Sequence, residues 1–227
     1  MALFRWAKMH SWWAIGDDAL IKELSARRVD KFGRLSAKIA AMMIYIALCI
    51  ESAGRSTNKV RVTYTRLSEL TGVSRALVCD GIAVLKLMGV VTYTRDGRNN
   101  IYTIVPAEYG GWCKIPAKKM LDLDGVYIKP FKHFKLRTKV ELHALKLFIY
   151  LASVRNNETE YSEASYETIS EAIGISNTDI QAALTLLTVV GLIVRSSGEL
   201  GDGDRAAPNG KVNPPTRYYL LDYKGFF

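Results

Sequence analysis

The chain has little of what metal, disulfide or membrane chemistry requires. Its three cysteines, Cys49, Cys79 and Cys113, stand far apart and in odd number, and its three histidines, His10, His133 and His143, fall in unrelated contexts. A disulfide framework needs paired cysteines and a zinc site needs closely spaced Cys or His, so neither is expected, and no metal or cofactor is assigned. A reducing, cytoplasmic compartment fits this thiol usage. Long hydrophobic runs are also missing. The longest, Ile39 to Ile50, is about twelve residues, too short to cross a bilayer and suited to a buried helix. The opening MALFRWAKMH lacks the continuous apolar run of a signal peptide, so no membrane partner is expected. No nucleophile elbow, paired-carboxylate motif or phosphate-cradling glycine loop is recognisable. Catalysis is therefore not expected, and no catalytic residue is assigned.

What the chain does have is positive charge, unevenly placed. At 227 residues it has room for two domains of about 100 residues, each able to bury a core. The net charge is +9 with a pI near 9.4. Residues 1–113 carry 16 bases against 9 acids, residues 114–139 carry 8 against 2, and residues 140–227 carry 7 against 11. Phosphate repels an acidic surface, so the first half and the basic segment should dominate any affinity for a polyanion.

The organising stretch is Leu67 to Val91, LSELTGVSRALVCDGIAVLKLMGVV. Leu67 and Leu70 share one face of a helix that Gly72 ends, and Ser74 caps a second helix. Val78, Ile82 and Leu85 recur at i, i+4, i+7, the spacing of a buried stripe. Gly89 closes that helix. The β-rich run Val90 to Thr94, the Asp96-Gly97 turn and the returning strand Ile101 to Val105 then predict a hairpin.

The pattern repeats without a gap 102 residues on, as ISEAIGISNTDIQAALTLLTVVGLIV from Ile169 to Val194. Gly72 falls on Gly174, Ser74 on Ser176, Val78 on Ile180, Ile82 on Leu184, Leu85 on Leu187 and Gly89 on Gly191. Thr63 and Ser165 are predicted N-caps in register. Upstream, Met42 to Leu48 matches Leu145 to Leu151 with a one-residue slip. A duplicated supersecondary unit is the economical explanation.

Helix, turn, helix and hairpin in this order resembles a winged helix-turn-helix DNA-binding domain. The expected fold is α+β, mostly helical: two tandem winged-helix domains with an N-terminal extension and a basic joining segment. The boundaries are 1–34 for the arm, 35–113 for the first domain, 114–137 for the joining segment and 138–227 for the second domain. The arm carries Trp6, Trp12 and Trp13 and a short helix near Asp17-Asp18. It either packs on its own domain or forms a homodimer contact. In the joining segment, bases alternate with Tyr127, Phe131, His133 and Phe134. That suits phosphate contact through Lys118 and Lys119, and equally a solvated linker packed between domains.

A tandem pair resembles winged-helix transcription regulators and the replication initiators of plasmids and related mobile elements. The resemblance implies a sequence-specific double-stranded DNA-binding protein, as a homodimer; in the initiators one domain chiefly dimerises while the other carries much of the recognition. The alternative is a winged-helix protein–protein interaction module. A 100° step per residue centred on Val78 exposes Ala76, Cys79, Asp80 and Ala83, flanked by Arg75 and Lys86. Small residues allow close approach to base edges, and Arg75, beside the cap Ser74, is the candidate for guanine or phosphate. Arg66 would face the DNA backbone, and Arg95, Arg98, Asn99 and Asn100 surround the wing turn. In the second unit the projection exposes Thr178, Gln181, Ala182 and Thr185, flanked by Asn177 and Thr188. That set is uncharged, but its amides can pair with adenine. Five glutamates, Glu158, Glu160, Glu163, Glu167 and Glu171, lie close to this second motif.

Overall fold

The caps and glycines set the helix boundaries. The computed structural model describes residues 4–96, 99–106, 111–156, 158–197 and 216–221. In chain order the elements are β1 (Ala7–His10), 3-10 turns at Trp12–Ala14 and Leu20–Glu23, β2 (Val29–Asp30), β3 (Gly33–Arg34), α1 (Leu35–Glu51), β4 (Lys59–Val62), α2 (Tyr64–Thr71), α3 (Arg75–Leu87), β5 (Val91–Asp96) and β6 (Asn99–Ile104). There follow β7 (Trp112–Ile115), α4 (Ala117–Met120), a 3-10 turn at Lys129–His133, α5 (Lys139–Ser153), β8 (Tyr161–Glu163), α6 (Tyr166–Ile173), α7 (Asn177–Val189), β9 (Ile193–Ser197) and β10 (Thr216–Leu220). The chain is thus α+β, with seven α-helices and small antiparallel sheets among the described residues.

The 102-residue offset holds at the level of elements. α2 and α6 have the same length and bounds that differ by 102, and so do α3 and α7. The Thr63 and Ser165 side chains accept from Arg66 N and Thr168 N, and Ser74 and Ser176 accept from Leu77 N and Asp179 N. Each hydroxyl satisfies one of the amides a helix start leaves without a partner. Gly72 and Gly174 end their helices at φ 72° and 66°, a left-handed conformation costly for a residue with a Cβ. The sheets match as well: β4-β6-β5 in the first unit and β8-β10-β9 in the second.

The long helices behave differently from what two separate cores would require. Every residue of α1 from Ala37 to Glu51 is buried, because α3 packs on one side and α5 on the other. A helix buried all round carries no amphipathic stripe, and α1 has none. One continuous hydrophobic cluster therefore runs through both units. Gly81 permits the α1–α3 crossing: a Cβ there would lie 2.6 Å from Ile44 Cδ1 and 3.0 Å from Ala41 N.

Trp12 and Trp13 of the arm pack on their own molecule. Trp13 is fully buried, stacked edge-on against Tyr45 at 5.0 Å, and donates to His10 O; Trp12 Nε1 donates to Val105 O at 2.9 Å. The helix expected near Asp17-Asp18 is a 3-10 turn at Leu20–Glu23. The boundary region holds a strand, β7, paired antiparallel with β1 across about a hundred residues of sequence. A further short strand, β8, forms because its three residues pair with β10.

The joining segment is anchored at its middle and at its far end. Ile128 N donates to Leu70 O at 2.9 Å, Phe131 and Phe134 are buried, and the lysines point outward. At the far end the Glu141 carboxylate accepts backbone N–H bonds from Lys135, Leu136, Arg137 and Thr138, the last three at 3.0, 2.8 and 2.8 Å. Burial pushes this carboxyl pKa up, but the four amides outweigh it and the net shift is downward. The geometry is a capping box on α5, extended into the linker.

Candidate nucleic-acid interface

The outer face of α3 is a ridge of small residues with cations at its ends. Arg75, Ala76, Cys79, Asp80, Ala83 and Lys86 are all exposed, while Val78, Gly81, Ile82, Val84 and Leu85 are buried. Ser74 is spent as the cap: its Oγ accepts from Leu77 N at 3.3 Å.

A groove of about 390 Å³ lies between this ridge and the β5–β6 side, lined by Tyr64, Cys79, Ala83, Lys86 and Tyr93 among others. The register explains which residues of β5 and β6 face it. Side chains alternate along a strand, and Tyr93 pairs with Tyr102 while Arg95 pairs with Asn100. Tyr93, Arg95, Asn100 and Tyr102 therefore share the helix-facing side of the sheet. Arg61 and Asp96 occupy the other side, joined by a 3.2 Å ion pair. Lys86 Nζ sits 4.7 Å above the Tyr93 ring. Burial raises the pKa of Tyr64 and, more strongly, of Tyr102, so both phenols stay neutral.

Arg95 is exposed on β5, and Asn100 donates Nδ2 to Tyr102 Oη at 3.0 Å. Gly97 and Arg98 lie outside the described residues, as does the Asn99 side chain.

Arg66 departs from its expected place. Its Nε donates to Glu51 at 2.9 Å, Nη1 to Val126 O at 3.0 Å and Nη2 to Gly125 O at 2.7 Å. All three nitrogens are thus engaged inside the protein, and the guanidinium brackets α1, α2 and the joining segment together. The sequence could not show this, because its acceptors lie 15 and about 60 residues away.

Lys118 and Lys119 are exposed on α4. With Arg5 and Lys129 they rim a cavity of about 420 Å³ that includes one acid, Asp122. In the second unit Asn177, Thr178, Gln181, Thr185 and Thr188 are exposed as expected, but Ala182 is half-buried. The hydroxyls of Thr185 and Thr188 donate to Gln181 O and Leu184 O of their own helix, which spends their protons. Asp179 is held by Lys139 at 2.8 Å, so this face presents amides rather than charge.

Sequence reasoning missed one neighbour of α3. The β2–β3 hairpin lies along the opposite flank, and the groove between them, about 410 Å³, is lined by Lys31, Gly33 and Arg34 on one wall and by Asp80, Ala83 and Leu87 on the other. Its signal was Asp30-Lys31-Phe32-Gly33, a turn with glycine last. No helix among the described residues is long and apolar enough to cross a membrane. No family model matches the chain, and no curated protein matches it in sequence.

Proposed function

We propose that the chain is a pair of tandem winged helices and acts as a sequence-specific double-stranded DNA-binding protein, a cytoplasmic homodimer serving as a transcription regulator or as the replication initiator of a mobile element. The observation that carries this reading is the α3 ridge: small residues along its centre, Arg75 at its N-terminus, Lys86 toward its C-terminus, and Arg95 on the adjoining strand face. Small side chains let a helix backbone approach base edges, and flanking cations meet the phosphates on either side of the groove. The first unit supplies charge. The second adds Asn177 and Gln181, whose amides can read adenine, on an uncharged face in a half of the chain whose net charge is negative, which binds a polyanion weakly alone.

One observation favours a second reading, a protein-docking module. Leu87 and Val189 end α3 and α7 at equivalent positions and are 61% and 75% exposed. Exposed apolar residues at matched positions suit a protein partner.

Selection of bound sites from a random duplex library, followed by a salt titration, separates the readings. Enrichment of a defined site with a steep loss of affinity in salt supports DNA recognition; one inverted repeat points to a regulator, and several direct repeats to an initiator. Absence of enrichment together with a flat salt response leaves the docking module.

A further inference from the structure

We propose that the β2–β3 hairpin is a second basic flank of the α3 ridge and contacts the phosphate backbone of the same duplex from the side opposite β5–β6. This role rests on α3 being the DNA-facing helix and adds to it a contact surface in the N-terminal arm.

The hairpin is built so that its outward charge has one sign. Arg27, Arg28, Lys31 and Arg34 are exposed. Its single acid, Asp30, is turned inward: Oδ2 accepts from Lys38 Nζ at 2.7 Å and from Ser25 Oγ at 2.6 Å, and Oδ1 accepts from Phe32 N at 2.9 Å. The Asp30 charge is therefore matched by a fully buried lysine and does not cancel the arginines outside. Lys31 is engaged by Glu23 at 2.5 Å, which leaves Arg27, Arg28 and Arg34 as the outward cations; no ion pair engages these three among the described residues.

The same bonds hold the hairpin in place. Lys38 Nζ also donates to Arg27 O at 2.9 Å, Leu35 N donates to Arg28 O at 3.0 Å, and the Phe32 ring is buried. A contact surface already ordered before binding loses little conformational entropy when it docks.

Position completes the case. The hairpin shares its groove with Ala83 and Leu87, toward the C-terminal end of α3, whereas Arg75 begins the helix. At 1.5 Å per residue these ends are roughly 18 Å apart. A major groove is about 12 Å wide between its phosphate walls, so cations at both ends of such a helix can reach both strands.

The test uses the full chain with two variants, R28A/R34A and R28K/R34K, titrated by fluorescence anisotropy against the selected duplex and a random duplex across a salt series. The alanine pair should weaken binding to both duplexes about tenfold at moderate salt and lower the salt slope by about two, with sequence preference unchanged. The lysine pair, which keeps the charge, should restore the slope. Hydroxyl-radical footprinting should lose protection on one flank of the site. Wild-type affinity and slope in the alanine pair would overturn the hairpin contact while leaving the α3 reading intact. So would a change of sequence preference that lysine fails to rescue, because it would assign the arginines to base edges. If the wild-type chain itself binds no duplex in a salt-dependent way, α3 is not a DNA-facing helix and both readings fall. Matching melting temperatures across the three proteins exclude unfolding as the cause of any loss.

Discussion

Lys38 on α1 and Lys146 on α5 are both buried where the two units meet, at 0% and 1% exposure, and among the described residues only Lys38 is paired with a carboxylate. Asp30 pairs with Lys38. Lys146 instead donates to Leu24 O at 3.2 Å, and no carboxylate pairs with it among the described residues.

Burial, together with the nearby Lys38 charge, lowers the Lys146 pKa to about 7. The unfolded chain then binds more protons than the folded one between about pH 7 and pH 10.5, so stability rises with pH across that window, and the full cost is present below pH 7. Lys146→Met should remove this slope and stabilise the chain by about 1–3 kcal/mol at pH 7, because a lone buried charge gives way to an apolar isostere. Urea unfolding at pH 6.5 and 9.5 reads both effects; unchanged stability would mean that water solvates the ammonium.

His143 is buried beside Asp179 and has its pKa lowered to about 4, chiefly by desolvation and further by Lys146 and Lys139, with Asp179 opposing. Here stability is lost as pH falls from about 6.5 to about 4, by up to about 3 kcal/mol. His143→Phe should flatten the unfolding free energy in that window, whatever its effect on the absolute value.

Gly81→Ala sets helix propensity against packing. Alanine favours an isolated helix by about 1 kcal/mol. At this crossing, however, the new methyl meets backbone atoms of α1 that cannot swing aside, and overpacking costs about 1–3 kcal/mol. A net loss of stability is expected, measured as a lower denaturant midpoint.

Arg66→Ala should act on folding rather than on DNA contact. It removes the partner of Glu51, which is 8% exposed, and leaves two carbonyls of the joining segment without their donors. A cost of about 2–4 kcal/mol and faster proteolysis near Gly125 are expected. Affinity for DNA, measured where the variant is folded, should hold.

Arg75→Ala should weaken the selected site by about 1–3 kcal/mol and relax preference at one base pair, whereas K118A/K119A should weaken all duplexes alike and flatten the salt slope. Competition against random duplex separates the two. A sequence-dependent effect from the lysine pair would place base contacts on α4.

The features the sequence determined are local in range. A hydroxyl three residues before an amide, a glycine where φ turns positive and an apolar stripe at helical spacing are all written within a dozen residues. Hence the four caps, the paired helices and the exposed ridge of α3 were legible, and the 102-residue offset doubled the signal. Tertiary structure decided what depends on distant partners. β8 is three residues long, and β7 and β8 exist because β1 and β10 offer them edges. Arg66 is drawn inward because acceptors from residues 51, 125 and 126 converge on it. The basic hairpin flanks α3 because one inward carboxylate found a buried lysine eight residues later in the chain. Charge can be counted in a sequence, but the surface on which it emerges is set by which partners the fold brings within bonding distance.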